Sequence, residues 1–404
     1  MMRTKNFRWL VFFIFLFSLC LMSFNGVMAA EKKEIRVGAI NSITGINAMT
    51  GAEMKWAYEQ AIADINNKGG VYVKELGKKL PIKLIFADDK STADQAAAAM
   101  ERLIKVDKIE LALSTNITPL NIAAGTVCEK YKLYFQIVCS WLDFIEKENF
   151  KWVSDMFTSA SEAARTPYLI WEEQLQKGQR PQRPALMMED NQDGQGFGMG
   201  FKHFAGEYGY KFVVDEPYAP NSKDFSSHIL KWKAAKADAL LWLGSPTDGI
   251  TLLRQMKEQN LKLKYIHGWK GFWPTEFLEA VGKDANYIIH DGFWSEKSGA
   301  PGAKELQERF VKQFKKDSVS IGLYYANPQI LAMAIEKAGS IDPAKVRDAV
   351  FGGEFKGTMM GDIKYNERGL AFKPLIAMQW WNGDRMPVYP AVPSVWTLKL
   401  APVN

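Results

Sequence analysis

Short apolar runs alternate along the chain with longer stretches in which apolar residues recur every three or four positions. Ile35-Arg36-Val37-Gly38-Ala39-Ile40, Ile82 to Phe86, Glu110 to Leu113 and Leu133 to Ile137 predict strands. Between them, helical spacing runs from about Ala52 to Asn67 (Trp56, Ala57, Ala61, Ile65), from Ala93 to Val106, and from Ile122 to Lys130; Gly69-Gly70 stops the first. The rhythm then restarts: strand Ala185 to Met188, helix to Tyr208, strand Lys211 to Val214, helix through Leu230, strand Ala239 to Leu243, helix through Leu253, strand Tyr265 to His267. Strands that are apolar on both faces and separated by helices imply parallel sheets covered on both sides. Two such runs imply an α/β chain of two Rossmann-like lobes. Ligands of open α/β sheets sit outside the carboxyl ends of the strands, so the loops there are the candidate site.

The first thirty residues read differently. Arg3, Lys5 and Arg8 precede the apolar run Trp9 to Met22, and Val27-Met28-Ala29-Ala30 then gives way to charged residues. This is the layout of a cleaved secretory signal over residues 1–30, and the run is short for a membrane span of ~20 residues. An uncleaved anchor is the alternative. A lipid-bearing Cys20 would need a small residue before it, where Leu19 stands. Export to the periplasm is the expectation.

Charge and cysteines narrow the classes. The net charge is +6, and removing the three basic residues of the signal leaves +3, too weak and dispersed for nucleic acid. Of the cysteines that survive processing, Cys128 falls late in a helix and Cys139 at the far end of the next strand, beyond the ~7 Å reach of a disulfide. Two free, mostly buried thiols are expected.

Catalytic and cofactor motifs fail on register. Gly194 to Gly200 follows a strand and opens a helix, but Met199 or Phe201 stands where a dinucleotide loop needs its third glycine. The expected role is a flexible loop beside the hinge. His203, His228, His267 and His290 lack metal-ligand spacing, and no nucleophile elbow occurs. Glu189-Asp190 and Asp88-Asp89 are adjacent carboxylates on opposite strand faces, which suits solvation or helix capping better than paired acid–base chemistry. No cofactor, metal or enzymatic activity is expected.

Polar and aromatic residues do gather past strand ends: Asn41 to Gly45, Ser114 to Thr118, Cys139-Ser140-Trp141 and Gly268 to Trp273. Hydroxyls and free backbone N–H groups at helix starts suit a carboxylate, and aromatic faces supply walls.

At these residues the chain resembles the type I periplasmic binding proteins, in particular the leucine/isoleucine/valine receptors of ABC transporters. The resemblance runs from Ile35 through Ser42 to Gly45 and on to Ile65 to Gly70. It continues through Asp88-Asp89, Ser114 to Thr118, Gly361 to Asn366 and Gln379-Trp380. It implies three hinge crossovers, near Phe157 to Ser159, Phe293 to Ser295 and Ala371 to Pro374. It divides the mature chain into lobe one (31–158 and 296–372) and lobe two (159–295 and 373–404). It implies a monomer that closes on a small-molecule ligand and is read by ABC transporter permease subunits in the inner membrane. Carried onto this sequence, the ligand carboxylate falls to Thr115, Asn116, Thr118, Cys139 and Ser140. The loop with Met49-Thr50 covers the cleft from the first lobe and Asp193-Gly194-Gln195 from the second, and Trp141, Ser245 and Trp269 stand nearby. Amino-acid-binding relatives carry an acid in the segment matching Gly268 to Gly271; here Lys270 occupies it, which would repel an ammonium and favour an anionic group. The expected ligand is therefore an aromatic or hydrophobic acid. A branched-chain amino acid receptor and a ligand-sensing ectodomain are the alternatives.

Overall fold

The computed structural model describes residues 32–45, 47–391 and 395–403. The signal segment, including Cys20, lies outside the described residues. Residues 35–404 form one compact unit containing two large sheets.

The first sheet has the order β15-β7-β6-β5-β1-β4 and is parallel throughout. Its strands are β1 (Ile35–Asn41), β4 (Ile82–Asp88), β5 (Leu111–Leu113), β6 (Phe135–Val138), β7 (Val153–Phe157) and β15 (Leu370–Phe372). A short hairpin, β2 (Val71–Val73) with β3 (Lys78–Leu80), lies outside it. Helices α1 (Ala48–Asn67), α2 (Ala93–Lys105), α3 (Thr118–Tyr131) and α4 (Leu142–Glu148) alternate with these strands. The second sheet has the order β17-β16-β12-β11-β10-β8-β9. It is parallel over β8 (Pro184–Met188), β9 (Val214–Asp215), β10 (Ala239–Gly244), β11 (Tyr265–Lys270) and β12 (Ile288–Gly292). The hairpin β16 (Ile376–Trp381) and β17 (Asp384–Tyr389) adds an antiparallel edge that the alternation did not foretell. Helices α5 (Ala160–Gln174), α6 (Gln192–Tyr208), α7 (Ser226–Ala234), α8 (Pro246–Glu258) and α9 (Thr275–Val281) belong to this half of the chain.

The chain passes from the first sheet to α5 through residues 158–159. There Tyr168 donates its hydroxyl to the Phe201 carbonyl of α6 at 2.7 Å. It returns after β12 into α10 (Ala303–Phe314), α11 (Ile321–Ala338) and α12 (Pro343–Val350), followed by the hairpin β13 (Glu354–Thr358) and β14 (Gly361–Lys364). Gln136 of β6 donates to the Asn327 carbonyl and side chain of α11 at 2.6 and 2.8 Å, tying that helix to the first sheet. A last passage, residues 373–375, leads from β15 to β16. The molecule is thus two α/β lobes joined by three crossovers.

Two expectations change. The strand expected at Lys211 to Val214 is only Val214–Asp215, with Tyr210 and Phe212 packed against the core just before it. Gly194 to Gly200 is not a flexible loop but the first half of α6. A Cβ at Gly194 would lie 1.8 Å from the Glu189 carbonyl, and one at Gly200 would lie 2.8 Å from the Ala164 Cβ. Those glycines let α6 start against β8 and pack closely on α5.

Candidate ligand-binding cleft

The first-lobe loops are sewn together by their own side chains. Asp88 accepts from the Thr44 hydroxyl at 2.7 Å and from the backbone N–H groups of Ile43, Thr44 and Lys90. Burial alone would raise its pKa, but these donors outweigh it and hold the carboxyl below its ordinary value. Asp89 is fully buried and accepts from Ser42 Oγ at 2.7 Å and Ser91 N–H at 2.8 Å. This acidic pair is loop architecture.

Asn121, buried in the first turn of α3, is the junction of the next two loops. Its Oδ1 accepts the Thr115 N–H at 3.1 Å, while its Nδ2 donates to the Thr115 carbonyl and to Ser140 Oγ, each at 2.9 Å. Thr118 Oγ1 accepts the Trp141 N–H at 3.1 Å, and Asn116 donates to Thr50 Oγ1. Ile117 precedes α3 and has no side chain able to cap it, so the amides of that first turn rely on other acceptors. Cys139 adopts φ 61°, turning the chain so that Ser140 points back to Asn121, and burial pushes its thiol up to about 12. It is a neutral wall group at physiological pH. Both thiols are free, Cys128 buried and Cys139 half-buried.

In the second lobe, Glu189 follows β8 and Lys270 ends β11, with β10 between those strands. The Lys270 ammonium is ion-paired with Glu189 and lies 3.3 Å from Asp193 in the first turn of α6. Glu189 is buried, 3% exposed, so solvation or helix capping is the wrong account of it. The structure makes it the partner of Lys270. Lys270 takes the left-handed backbone, φ 33°.

The two lobes meet at aromatic rings. Trp141 lies 5.2 Å from Phe157 and 5.2 Å from Phe197 of α6, and Phe157 lies 5.0 Å from Phe293 at the second crossover. Trp141 therefore sets the Ser140 loop against the helix whose first turn carries Asp193. Two α/β lobes with strand-end polar loops brought to a shared seam are the architecture of a solute receptor, and residues 34–384 match the family model described as periplasmic binding protein. The chain belongs to the periplasmic binding protein family.

Its relatives agree. It is 25% identical over 391 residues to Leu/Ile/Val-binding protein homolog 7 of Brucella suis biovar 1, covering 92% of this chain and 95% of that protein. The branched-chain amino acid transporter substrate binding protein LivJ of Streptococcus pneumoniae, solved in complex with isoleucine, shares the fold with TM-score 0.73 at 18% identity. That match covers 87% of this chain and 98% of LivJ. A solute binding protein of an ABC transporter from Rhodopseudomonas palustris BisB5, in complex with 3,4-dihydroxy benzoic acid, shares it with TM-score 0.69 at 17% identity, covering 88% and 95%. Membership of the periplasmic binding protein family makes this chain a substrate-binding protein, and the family's name places its members outside the cytoplasm. Among the described residues, no helix is long and apolar enough to cross a membrane, and no group of three or more His, Cys, Asp or Glu could hold a metal.

As a periplasmic binding protein, the chain distributes its expected site residues unevenly. Thr50, Asn116, Thr115 and Ser140 are joined through Asn121 in one hydrogen-bond network, and Thr118 with Trp141 forms a separate pair beside it, next to Cys139. Gly194, Gln195 and Lys270 gather around Glu189, with Gln195 donating to Asp190 at 3.2 Å. Ser245 caps α8 by accepting the Asp248 N–H at 3.3 Å. Trp269 stands apart from the cleft walls. It is 1% exposed, stacked 4.4 Å from His267 and packed against Phe201, and belongs to the core of the second lobe. Sequence reasoning named Ser42 only as part of the Asn41 to Gly45 cluster and passed over Asn121 and Glu53. Glu53, on α1, accepts from Ser318 at 2.6 Å and is raised above its usual pKa by burial. Ser42 sat inside a flagged cluster; Asn121 and Glu53 carried no signal beyond being polar residues on amphipathic helices.

Proposed function

We propose that the mature chain, released into the periplasm by removal of residues 1–30, captures a small carboxylate-bearing solute, an aromatic or hydrophobic acid, between two closing lobes. The monomer then presents it to ABC transporter permease subunits in the inner membrane. The lobes divide as 31–158 with 296–372, and 159–295 with 373–404. The observation that carries this reading is the hydroxyl and amide network around Asn121, beside a helix start without a side-chain cap, with Trp141 as the adjacent apolar wall. Neutral donors and helix-start amides favour a carboxylate without requiring a cation. Thr115, Asn116, Thr118 and Ser140 would hold that carboxylate, and Lys270 would meet a second polar group.

A branched-chain amino acid is the second reading, and the Lys270 pairing favours it more than the sequence did. Two acids, Glu189 and Asp193, surround one lysine, so the local charge does not simply repel an ammonium. A thermal-shift screen of the purified protein against benzoates, aliphatic acids and leucine, isoleucine or valine separates them, because a ligand that binds only the folded state raises the melting point. Stabilisation by acids alone supports the first reading; stabilisation by the amino acids alone overturns it.

A further inference from the structure

Away from the cleft loops, a cavity of about 610 Å³ lies where two of the three crossovers run side by side. Phe293 and Trp294 come from the second crossover, Lys373 and Pro374 from the third, and Met359 and Met360 from the turn of the β13–β14 hairpin. Apart from Phe293, which also packs on Phe157 at the seam, none of the residues placed in the cleft lines it. The volume lies within the range of small-molecule sites, and the wall sets aromatic, proline and thioether groups, surfaces that bind apolar bodies and adapt to their shape, among glycines and a few polar side chains.

The charges on this wall are unequal. Lys297 is saturated, donating to both Asp384 oxygens and to the Arg385 carbonyl at 2.8 Å each. Asp362 is engaged by the Gly357 N–H at 2.9 Å. Lys373 is held in place by its backbone N–H, which donates to the Phe157 carbonyl at 2.8 Å, yet its ammonium has no hydrogen-bond or ion-pair partner among the described residues. Burial draws its pKa below the ordinary lysine value, with Asp362 partly opposing. A half-buried cation without an acceptor, set in an apolar wall, is a place where an anion gains more than it would in water.

We propose that this cavity is a second ligand site, for a small amphipathic monoanion whose carboxylate or sulfonate meets Lys373 and whose apolar body lies against Phe293, Trp294 and the two methionines. Because its walls are the crossovers themselves, an occupant contacts the segments that must bend when the lobes move. Occupancy and lobe closure are then linked, and the linkage acts equally in both directions. That linkage rests on the lobe closure proposed above, whichever solute the cleft takes.

The test uses 8-anilinonaphthalene-1-sulfonate, an aryl sulfonate of this class, titrated into the purified mature protein and followed by fluorescence. Saturable one-to-one binding is expected. Lys373→Met weakens it about tenfold or more, as loss of a charge-assisted contact does; Lys373→Arg retains it; and Ala300→Trp, which fills the cavity from its rim, abolishes it. Melting curves of each variant report folding. No saturable response from the wild-type protein overturns the proposal. So does a response that survives both Lys373→Met and Ala300→Trp in folded protein, since the probe then sits elsewhere.

Discussion

Lys270 and Glu189 form an ion pair across the end of β10, the lysine about one-third exposed and the glutamate almost fully buried. Each explains the other: Glu189 is tolerated in the strand-end interior because Lys270 reaches it, and Lys270 is not a free cation facing the ligand. Lys270→Met leaves a buried carboxylate uncompensated, so a loss of about 1–3 kcal/mol is expected, less than for a fully buried pair because the lysine side is solvated. Glu189→Gln on the same background recovers most of that loss. Calorimetric titration of the Lys270→Met protein should show acids binding more weakly and α-amino acids more tightly. Unchanged ligand preference would remove Lys270 and Glu189 from the specificity-determining set.

Asn121 is expected to matter out of proportion to its position on a helix. Asn121→Ala orphans the buried Thr115 N–H and frees Ser140, and each unsatisfied buried group costs about 1–3 kcal/mol. Denaturant melts should show that destabilisation, together with at least tenfold weaker solute binding. Destabilisation without any change in affinity would mean that the network only holds the loops.

The α6 glycines should divide into two kinds. Gly194→Ala would force a methyl against the Glu189 carbonyl, and the helix start must shift, which perturbs the Lys270 pair. Gly196 has nothing within 4 Å of its missing Cβ and lies inside the helix. Gly196→Ala should stabilise by about 0.5–1 kcal/mol through helix propensity alone. Opposite signs for the two substitutions in thermal melts are the expected result.

Asp155 on β7 is fully buried, and neither carboxyl oxygen has a hydrogen-bond partner among the described residues. Burial raises its pKa well above the ordinary aspartate value. The folded state therefore holds a proton that the unfolded state releases, and this group's contribution to stability falls as pH rises from the unfolded value towards the folded one. Asp155→Asn removes that dependence. As pH rises above the ordinary aspartate value, its stability should fall less steeply than the wild type's, by up to about 1.4 kcal/mol per pH unit. Parallel stability curves for the two proteins would show that Asp155 is ionised in the fold.

The strand–helix alternation was legible because buried parallel strands and amphipathic helices each impose a period on the chain, and that period survives without any knowledge of contacts. The cleft loops were legible for the same reason: they follow the strand ends, and Thr115, Thr118, Ser140 and Trp141 could be placed there by order alone. The β16–β17 hairpin went unread although Asn382-Gly383 between its strands is a short-range turn signal; only its antiparallel docking on β12 depends on a partner far along the chain. The glycines of α6 looked like a loop because the carbonyl that forbids a side chain at Gly194 belongs to Glu189 on the preceding strand end.

The sequence by itself determined the class of the molecule and the ends of the strands at which its polar loops collect. Only the tertiary structure decided that Trp269 faces the core, that Asn121 joins two loops, and that Lys270 is neutralised by Glu189 and Asp193. The reason is physical. Periodicity reports which face of an element avoids water, whereas the charge a ligand meets depends on which side chains from separate strands come within ångströms of one another.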